Sequence, residues 1–193
     1  SILFSVKLTS LARNNDGSKI AVGCNDGTIQ LIAMKNVSEL PIVIRTGEKS
    51  VEAISFSPDG NILASGGKSG KLQLWNVKKP EAKPIELLGH ISAITQLKFS
   101  SDGTTLASSS FDKSIRLWNV KKLDNQPIMI LSGHDKWIYS LDFNPDGTKL
   151  ITGSADNSIK IWTTRSDILA DKICKNAKRN MTKEEWNKYV GGD

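Results

Sequence analysis

Histidine and cysteine are nearly absent from this chain: its 193 residues contain only His90, His134, Cys24 and Cys174 as representatives of the two types. The cysteines lie far apart and form no CxxC pair. That argues against a disulfide scaffold or a zinc site and favours a reducing, cytoplasmic setting. No apolar run approaches the ~18 residues that a membrane span needs, so no membrane partner is expected. The start, Ser1-Ile2-Leu3-Phe4, has neither the basic n-region nor the long apolar stretch of a signal peptide. It also lacks an initiator Met and falls inside a repeat, so residue 1 is expected not to be the natural start. Clustered charge is missing too. The net charge of +6 divides into about +4 over residues 1–162 and about +2 over the remainder, which gives weak attraction to anionic surfaces but no nucleic-acid footprint. Lys78-Lys79 and Lys121-Lys122 read as solvated hairpin loops.

What the chain does have is a clock. Hydrophobic and charged contents of 38% and 24% are those of a globular domain, and the order within it is periodic. Asp-Gly occurs at Asp16-Gly17, Asp59-Gly60, Asp102-Gly103 and Asp146-Gly147, at spacings of 43, 43 and 44 residues. Tryptophan keeps the same time at Trp75, Trp118 and Trp162, with Ile32 in the equivalent place of the first unit. Gly-His appears at Gly89-His90 and Gly133-His134, and Gly47-Glu48 is its degenerate counterpart. Self-similarity at such a period marks a repeat architecture.

Each unit alternates with period two in short runs such as Val51–Phe56, Thr105–Ser109 and Lys71–Trp75, the signature of strands with one buried face. Asp-Gly between such runs supplies the positive backbone angles of a tight hairpin. A further strand is expected at Ile85–Leu88 and at Ile128–Leu131. Four strands every ~43 residues is the layout of a propeller blade.

Residues Gly89 to Asn119 (GHISAITQLKFSSDGTTLASSSFDKSIRLWN) and Gly133 to Thr163 (GHDKWIYSLDFNPDGTKLITGSADNSIKIWT) resemble WD40 repeats. The resemblance covers roughly residues 9–163. It implies an all-β chain of β-propeller blades, each of four antiparallel strands, in units near 1–46, 47–88, 89–132 and 133–163. It also implies hydrogen-bonded structural tetrads of His90, Ser108, Asp112 and Trp118, and of His134, Thr152, Asp156 and Trp162. The second unit departs from this pattern, with Glu48 for His and Ser69 for Asp. The first keeps Asp26 but has Ile32 for Trp. Those two units are expected to be held more by packing than by a polar network. Propellers of this class usually have about seven blades, within a general range of four to eight. The reading preferred here is therefore the C-terminal part of a longer propeller, with a four-bladed ring or two copies completing a larger ring as alternatives. Ser1–Lys7 is assigned to the last strand of a preceding blade or to a strand that closes the ring. An open arc leaves strand edges free for self-association.

Beyond the repeats, residues 164–193 are expected to form a short α-helical C-terminal tail. Ile168, Leu169, Lys172 and Ile173 fall at helical spacing, and Thr182-Lys183-Glu184-Glu185 is a capping box with Gly191-Gly192 as a stop. Trp186, Tyr189 and Val190 share one face, for docking on the propeller rim or for a partner. The segment from Ile173 to Trp186 is similar to the tail that ends many bacterial multidomain WD-repeat signalling proteins, in which the repeats follow an effector domain.

Catalytic chemistry finds no footing. With both histidines in tetrads, a Ser or Cys nucleophile has no free base, and no metal site or cofactor is expected. Gly66-Gly67-Lys68-Ser69-Gly70-Lys71 suggests a phosphate loop but has Ile62 where the motif needs Gly, and a strand follows. The resemblance points instead to the loops that line one face around the central channel. There it places Lys68, Ile91, Ser92, Phe111, Asp135, Lys136 and Trp137 as partner-binding candidates, with the turn-proximal aromatics Phe111 and Trp137 foremost. The chain is read as a non-catalytic protein-interaction scaffold, the sensor or regulatory end of a larger intracellular signalling protein. A nucleic-acid-binding propeller is the alternative, disfavoured because the lysines do not cluster into a groove, and a propeller hydrolase is the third.

Overall fold

The structure is a computed structural model that describes residues 5–36, 39–122 and 125–165. It contains fifteen strands in four antiparallel sheets. The first sheet is β1 (Leu8–Arg13), β2 (Lys19–Cys24), β3 (Thr28–Ala33) and β4 (Ile42–Arg45). The second is β5 (Val51–Phe56), β6 (Ile62–Gly67), β7 (Leu72–Asn76) and β8 (Ile85–Leu87). The third is β9 (Ile94–Phe99), β10 (Thr105–Ser110), β11 (Ile115–Asn119) and β12 (Met129–Leu131). The fourth has three strands among the described residues: β13 (Ile138–Phe143), β14 (Lys149–Ser154) and β15 (Ile159–Thr163). Each sheet is a plain meander in which sequence neighbours pair. That layout follows from short alternating strands joined by turn chemistry alone.

The turns differ in detail from a two-residue hairpin. Gly17, Gly60, Gly103 and Gly147 adopt φ of 68–70°, whereas the preceding aspartates keep negative φ. The glycine N–H donates to the carbonyl three residues back, at 2.9–3.1 Å. Each turn is thus a type I turn closed by a left-handed glycine rather than a type I′ pair. The Asp carboxylate accepts from the backbone two residues on, as in Asp16 Oδ1 with Ser18 N (2.8 Å) and Asp146 Oδ1 with Thr148 N (2.8 Å). Hydrogen bonds to the charged form hold Asp16, Asp59, Asp102 and Asp146 below the usual carboxylate range.

The core lies between blades, as stacked sheets with one apolar face each require. Ala21, Ile29 and Leu31 of the first blade pack against Val51, Ile54, Phe56, Leu63 and Trp75 of the second. Leu72 and Leu74 then meet Ile94, Leu97, Leu106 and Trp118, and Ile115 and Leu117 meet Ile138, Leu141 and Leu150. Full burial of each such side chain contributes about 1.5–3 kcal/mol. Polar latches join neighbouring blades at the Asp-Gly turns, where Asn15 Nδ2 donates to the Pro58 carbonyl (2.9 Å) and Ser101 Oγ to that of Pro145 (2.7 Å).

Two expectations fall at the ends of the described residues. Ser5 and Val6 form a bend rather than a strand, Lys7 leads into β1, and residues 1–4 lie outside the described residues. The tail expected at 164–193 also lies outside them beyond Arg165. The only helical turn among the described residues is a short 3-10 turn at Met34–Asn36.

Candidate functional site

In the third blade, four side chains are wired in series. Trp118 Nε1–H donates to Ser108 Oγ (2.9 Å), Ser108 Oγ lies 2.8 Å from His90 Nε2, and His90 Nδ1 lies 2.7 Å from Asp112 Oδ2. The assignment that uses every donor has Ser108 donating to Nε2 and His90 donating from Nδ1. Asp112 also accepts from Ser114 Oγ (2.6 Å) and Ser114 N (2.9 Å). Burial pushes the Asp112 carboxyl up, but the bonds from His90 and Ser114 outweigh it and hold the group well below the usual range. The fourth blade repeats the wiring: Trp162 Nε1–H to Thr152 Oγ1 (2.8 Å), Thr152 Oγ1 to His134 Nε2 (2.8 Å), and His134 Nδ1 to Asp156 Oδ2 (2.8 Å). Asp156 is held low chiefly by Ser158.

The second blade, expected to be held more by packing than by a polar network, keeps two local hydrogen-bonded pairs. Trp75 Nε1–H still donates to Ser65 Oγ (2.8 Å). Glu48 takes a carboxylate where the other blades have imidazole and accepts from Ser69 Oγ (2.6 Å) and Ser69 N (3.0 Å). The series is therefore cut into two local pairs rather than lost. In the first blade Asp26 accepts from Thr28 Oγ1 (2.7 Å) and Thr28 N (3.0 Å), and Ile32 is simply buried.

These networks fix the loops above them. Each loop between the second and third strands is tied to the loop that leads into the first. Lys68 N donates to the Ser50 carbonyl (3.2 Å), Phe111 N to that of Ala93 (3.0 Å) and Ala155 N to that of Trp137 (3.0 Å). Ser110 Oγ reaches the Ser92 carbonyl (3.0 Å), and Ser154 Oγ those of Trp137 (2.9 Å) and Lys136 (3.2 Å). The Asp135 N–H donates to Asp156 Oδ2 (3.0 Å), so that loop is anchored directly to a tetrad.

On this scaffold stands an exposed aromatic strip. The rings of Phe111 and Trp137 have centroids 5.4 Å apart, and Trp137 meets Tyr139 edge-on at 6.3 Å. All three are exposed, as is Ile91 on the loop that leads into β9. A depression of about 420 Å³ opens against Phe111 and Tyr139, with Glu52, Lys68 and Thr95 supplying polar atoms. Tyr139 and Glu52 were not among the sequence candidates. The available signal was their outward position in the alternating runs of the innermost strands. A somewhat larger depression, about 480 Å³, lies on the periphery between Arg45–Gly47 and Pro80–Pro84. It offers no comparable exposed aromatic anchor, so the strip is the stronger candidate. Lys68 flanks the strip from the second blade, whereas Asp135 and Lys136 are exposed on the Trp137 loop and Ser92 is half-buried.

Both nitrogens of each histidine are engaged in the tetrads. No group of three or more His, Cys, Asp or Glu side chains suited to a metal ion occurs among the described residues. Burial pushes the Cys24 thiol up, away from thiolate chemistry. No helix among the described residues is long and apolar enough to cross a membrane.

The profile of the family described as WD domain, G-beta repeat matches residues 4–32, 40–76, 82–119 and 125–163, about three quarters of the chain. No curated protein matches it. Three of the matched segments are offset from the sheets. Residues 40–76, for example, take in β4 of the first sheet and β5–β7 of the second, so that segment spans two blades and ties them covalently, whereas residues 4–32 fall within the first blade. Domains of this family in general mediate protein–protein interaction and are in general non-catalytic. By the matches, the wired tetrads and the meander of four-stranded blades, this chain belongs to the WD40 repeat family.

Proposed function

We propose that the chain is a non-catalytic scaffold that holds an extended segment of a protein partner across the strip formed by Phe111, Trp137 and Tyr139. Lys68, Ile91, Ser92, Asp135 and Lys136 form the rim of this site. The observation that carries the reading is the strip itself: large apolar rings exposed side by side across two blades. Contiguous exposed apolar surface marks a binding site. Aromatic anchors supply most of the energy in such interfaces, and here they stand on loops pinned from below. Charges of both signs around the rings suit a peptide better than a phosphate backbone, which would favour clustered lysine.

On the same reading the chain is the regulatory C-terminal part of a larger cytoplasmic signalling protein, with residues 1–163 as its repeats and 164–193 as a distinct tail. The resemblance of residues 173–186 to the tails of bacterial multidomain WD-repeat proteins supports this placement. The exposed aliphatic residues Leu8, Leu11, Ile159 and Ile161 on the outer blades support self-association as a second mode of partnering.

The test is a random peptide library panned over the immobilised chain. Peptides that bind are expected to lose tenfold or more in affinity to Phe111→Ala or Trp137→Ala. Equal binding by both variants would sink the reading. Preference for single-stranded oligonucleotide, with affinity collapsing as salt rises, would replace it with nucleic-acid recognition.

A further inference from the structure

The third strands of the second, third and fourth blades carry a long polar residue opposite the Ser or Thr that receives the tryptophan bond. It is Gln73 paired with Ser65, Arg116 paired with Ser108, and Lys160 paired with Thr152. In the third and fourth blades this residue fills the space over the glycine that precedes the tetrad histidine. A β-carbon on Gly89 would collide with Arg116 Nη1, and one on Gly133 would lie 3.6 Å from Lys160 Nζ. Lys160 Nζ also donates to the Gly133 carbonyl. Both blades thus close this corner with a cation of their own.

The second blade leaves the corner open. Gln73 is shorter, and Gly47 turns at φ 76° instead of the 150–152° of Gly133 and Gly89. Beyond its chain neighbours, no described atom lies within 4 Å of where a Gly47 β-carbon would stand. The depression of about 480 Å³ on the outer seam between the first and second blades has both Gln73 and Gly47 in its wall. All four strands of both blades are described, so complete sheets bound the corner on either side.

A second observation concerns the acceptors in that wall. Gln73 is 3% exposed. Its Nε2 donates to Glu86 Oε1 (3.3 Å), and its Oε1 accepts from no described residue. Lys71 Nζ reaches the same Glu86 oxygen (3.3 Å), which leaves Glu86 Oε2 without a donor among the described residues. The Gly47 carbonyl, whose counterpart at Gly133 is served by Lys160, likewise accepts from none of them. Of the charged residues around the depression, Arg45, Glu81 and Lys83 are exposed, whereas Glu86 is half-buried. The charge set closest to the floor is therefore negative.

We infer that this corner is a second binding site, which takes an arginine side chain of a protein partner in place of the cation that the second blade lacks. A guanidinium carries five donors in one plane and pairs well with carboxylate and carbonyl oxygens, which suits a corner with three vacant acceptors. Trp75 and Pro84 offer apolar surface to the aliphatic stem. One side chain makes a weak contact, so the site adds to the aromatic strip and does not replace it. The inference goes beyond the peptide-binding reading and does not depend on it.

The probe is N-acetyl-arginine methylamide, titrated into the full 193-residue chain and followed by NMR of backbone amides and indoles. Saturable shifts are expected at the Gly47 N–H and the Trp75 Nε1–H, with the Trp137 indole unmoved. The citrulline analogue, similar in shape but uncharged, is expected to bind about tenfold more weakly, in keeping with the strength of hydrogen bonds to charged groups. Gln73→Arg supplies the missing cation from within the chain and is expected to abolish the shifts. Glu86→Gln is expected to weaken the probe by about tenfold, and unchanged circular dichroism identifies both variants as folded. Absence of shifts at Gly47 and Trp75, equal affinity for the citrulline analogue, or shifts that persist in folded Gln73→Arg would each overturn the proposal. Should Gln73→Arg not fold, undiminished binding by Glu86→Gln overturns it.

Discussion

Phe111 of the third blade and Trp137 of the fourth belong to loops 26 residues apart in sequence, yet their ring centroids lie 5.4 Å apart at a tilt of 38°. The pair bridges the seam between two blades on their exposed side. Because both backbones are hydrogen-bonded to their own blades, the rings are presented rather than merely uncovered. Replacing either by Ala is expected to cost less than about 1 kcal/mol of stability, as for other half-exposed side chains. The double-mutant cycle is expected to show a coupling of about 0.5 kcal/mol, the lower end for an aromatic pair. A coupling of zero in thermal denaturation would mean that the rings do not act as one surface.

Ser108 sits at the middle of a four-member series, whereas Ser65 serves Trp75 alone. Ser108→Ala leaves both the Trp118 N–H and the His90 Nε2 without a partner in a buried site. At about 1–3 kcal/mol for each orphaned group, it is expected to cost about twice as much as Ser65→Ala. Urea unfolding of the two variants decides this, and equal midpoints would contradict it.

Asp112 and Asp156 titrate below their ordinary range in the folded chain. The unfolded chain therefore takes up protons first as pH falls. Their stabilising contribution is complete above about pH 4, the ordinary aspartate value, and declines below it toward the folded pKa. Wild-type stability is expected to fall steeply on acidification below that value. The Asp112→Asn, Asp156→Asn double variant is expected to start lower at pH 7 and to fall less. Parallel pH–stability curves would refute the assignment.

Lys113 and Asn157 occupy the left-handed region at φ 71° and 64°, where the first two blades have Gly27 and Gly70. Lys pays a steric penalty there that Asn largely escapes. Lys113→Gly is expected to raise stability by about 0.5–1 kcal/mol, after the entropy that glycine adds to the unfolded chain, and Asn157→Gly by less. Gly70→Lys is expected to destabilise by more, because its β-carbon would lie 2.7 Å from the His90 carbonyl oxygen. Melting temperatures in the reverse order would show that the loop relaxes freely.

The repeat was legible because its markers are local. Asp-Gly needs only a turn, and the resemblance to WD40 repeats that the markers carry implies the series His90, Ser108, Asp112 and Trp118, which the structure joins by hydrogen bonds. Features that depend on the neighbouring blade were not legible. Glu48 reads as a lost histidine, and only the fold shows its carboxylate turned onto Ser69. The short strand β4, Ile42–Arg45, has no Trp or Gly-His marker of its own. Ile159 and Ile161 read like any other buried third-strand pair, since their exposure depends on what stands beyond the fourth blade. Tyr139 was hidden in the same way: alternation assigns it a side of the strand, but not the company of Trp137.

The most direct test of the binding account is hydrogen exchange on the chain with its tightest library peptide. Slowed exchange is expected at residues 89–93, 110–114 and 135–139, the loops and the start of β13 that present the aromatic strip, and unchanged exchange at 80–84. Protection confined to 80–84 and 45–47 would move the site to the outer rim and contradict it.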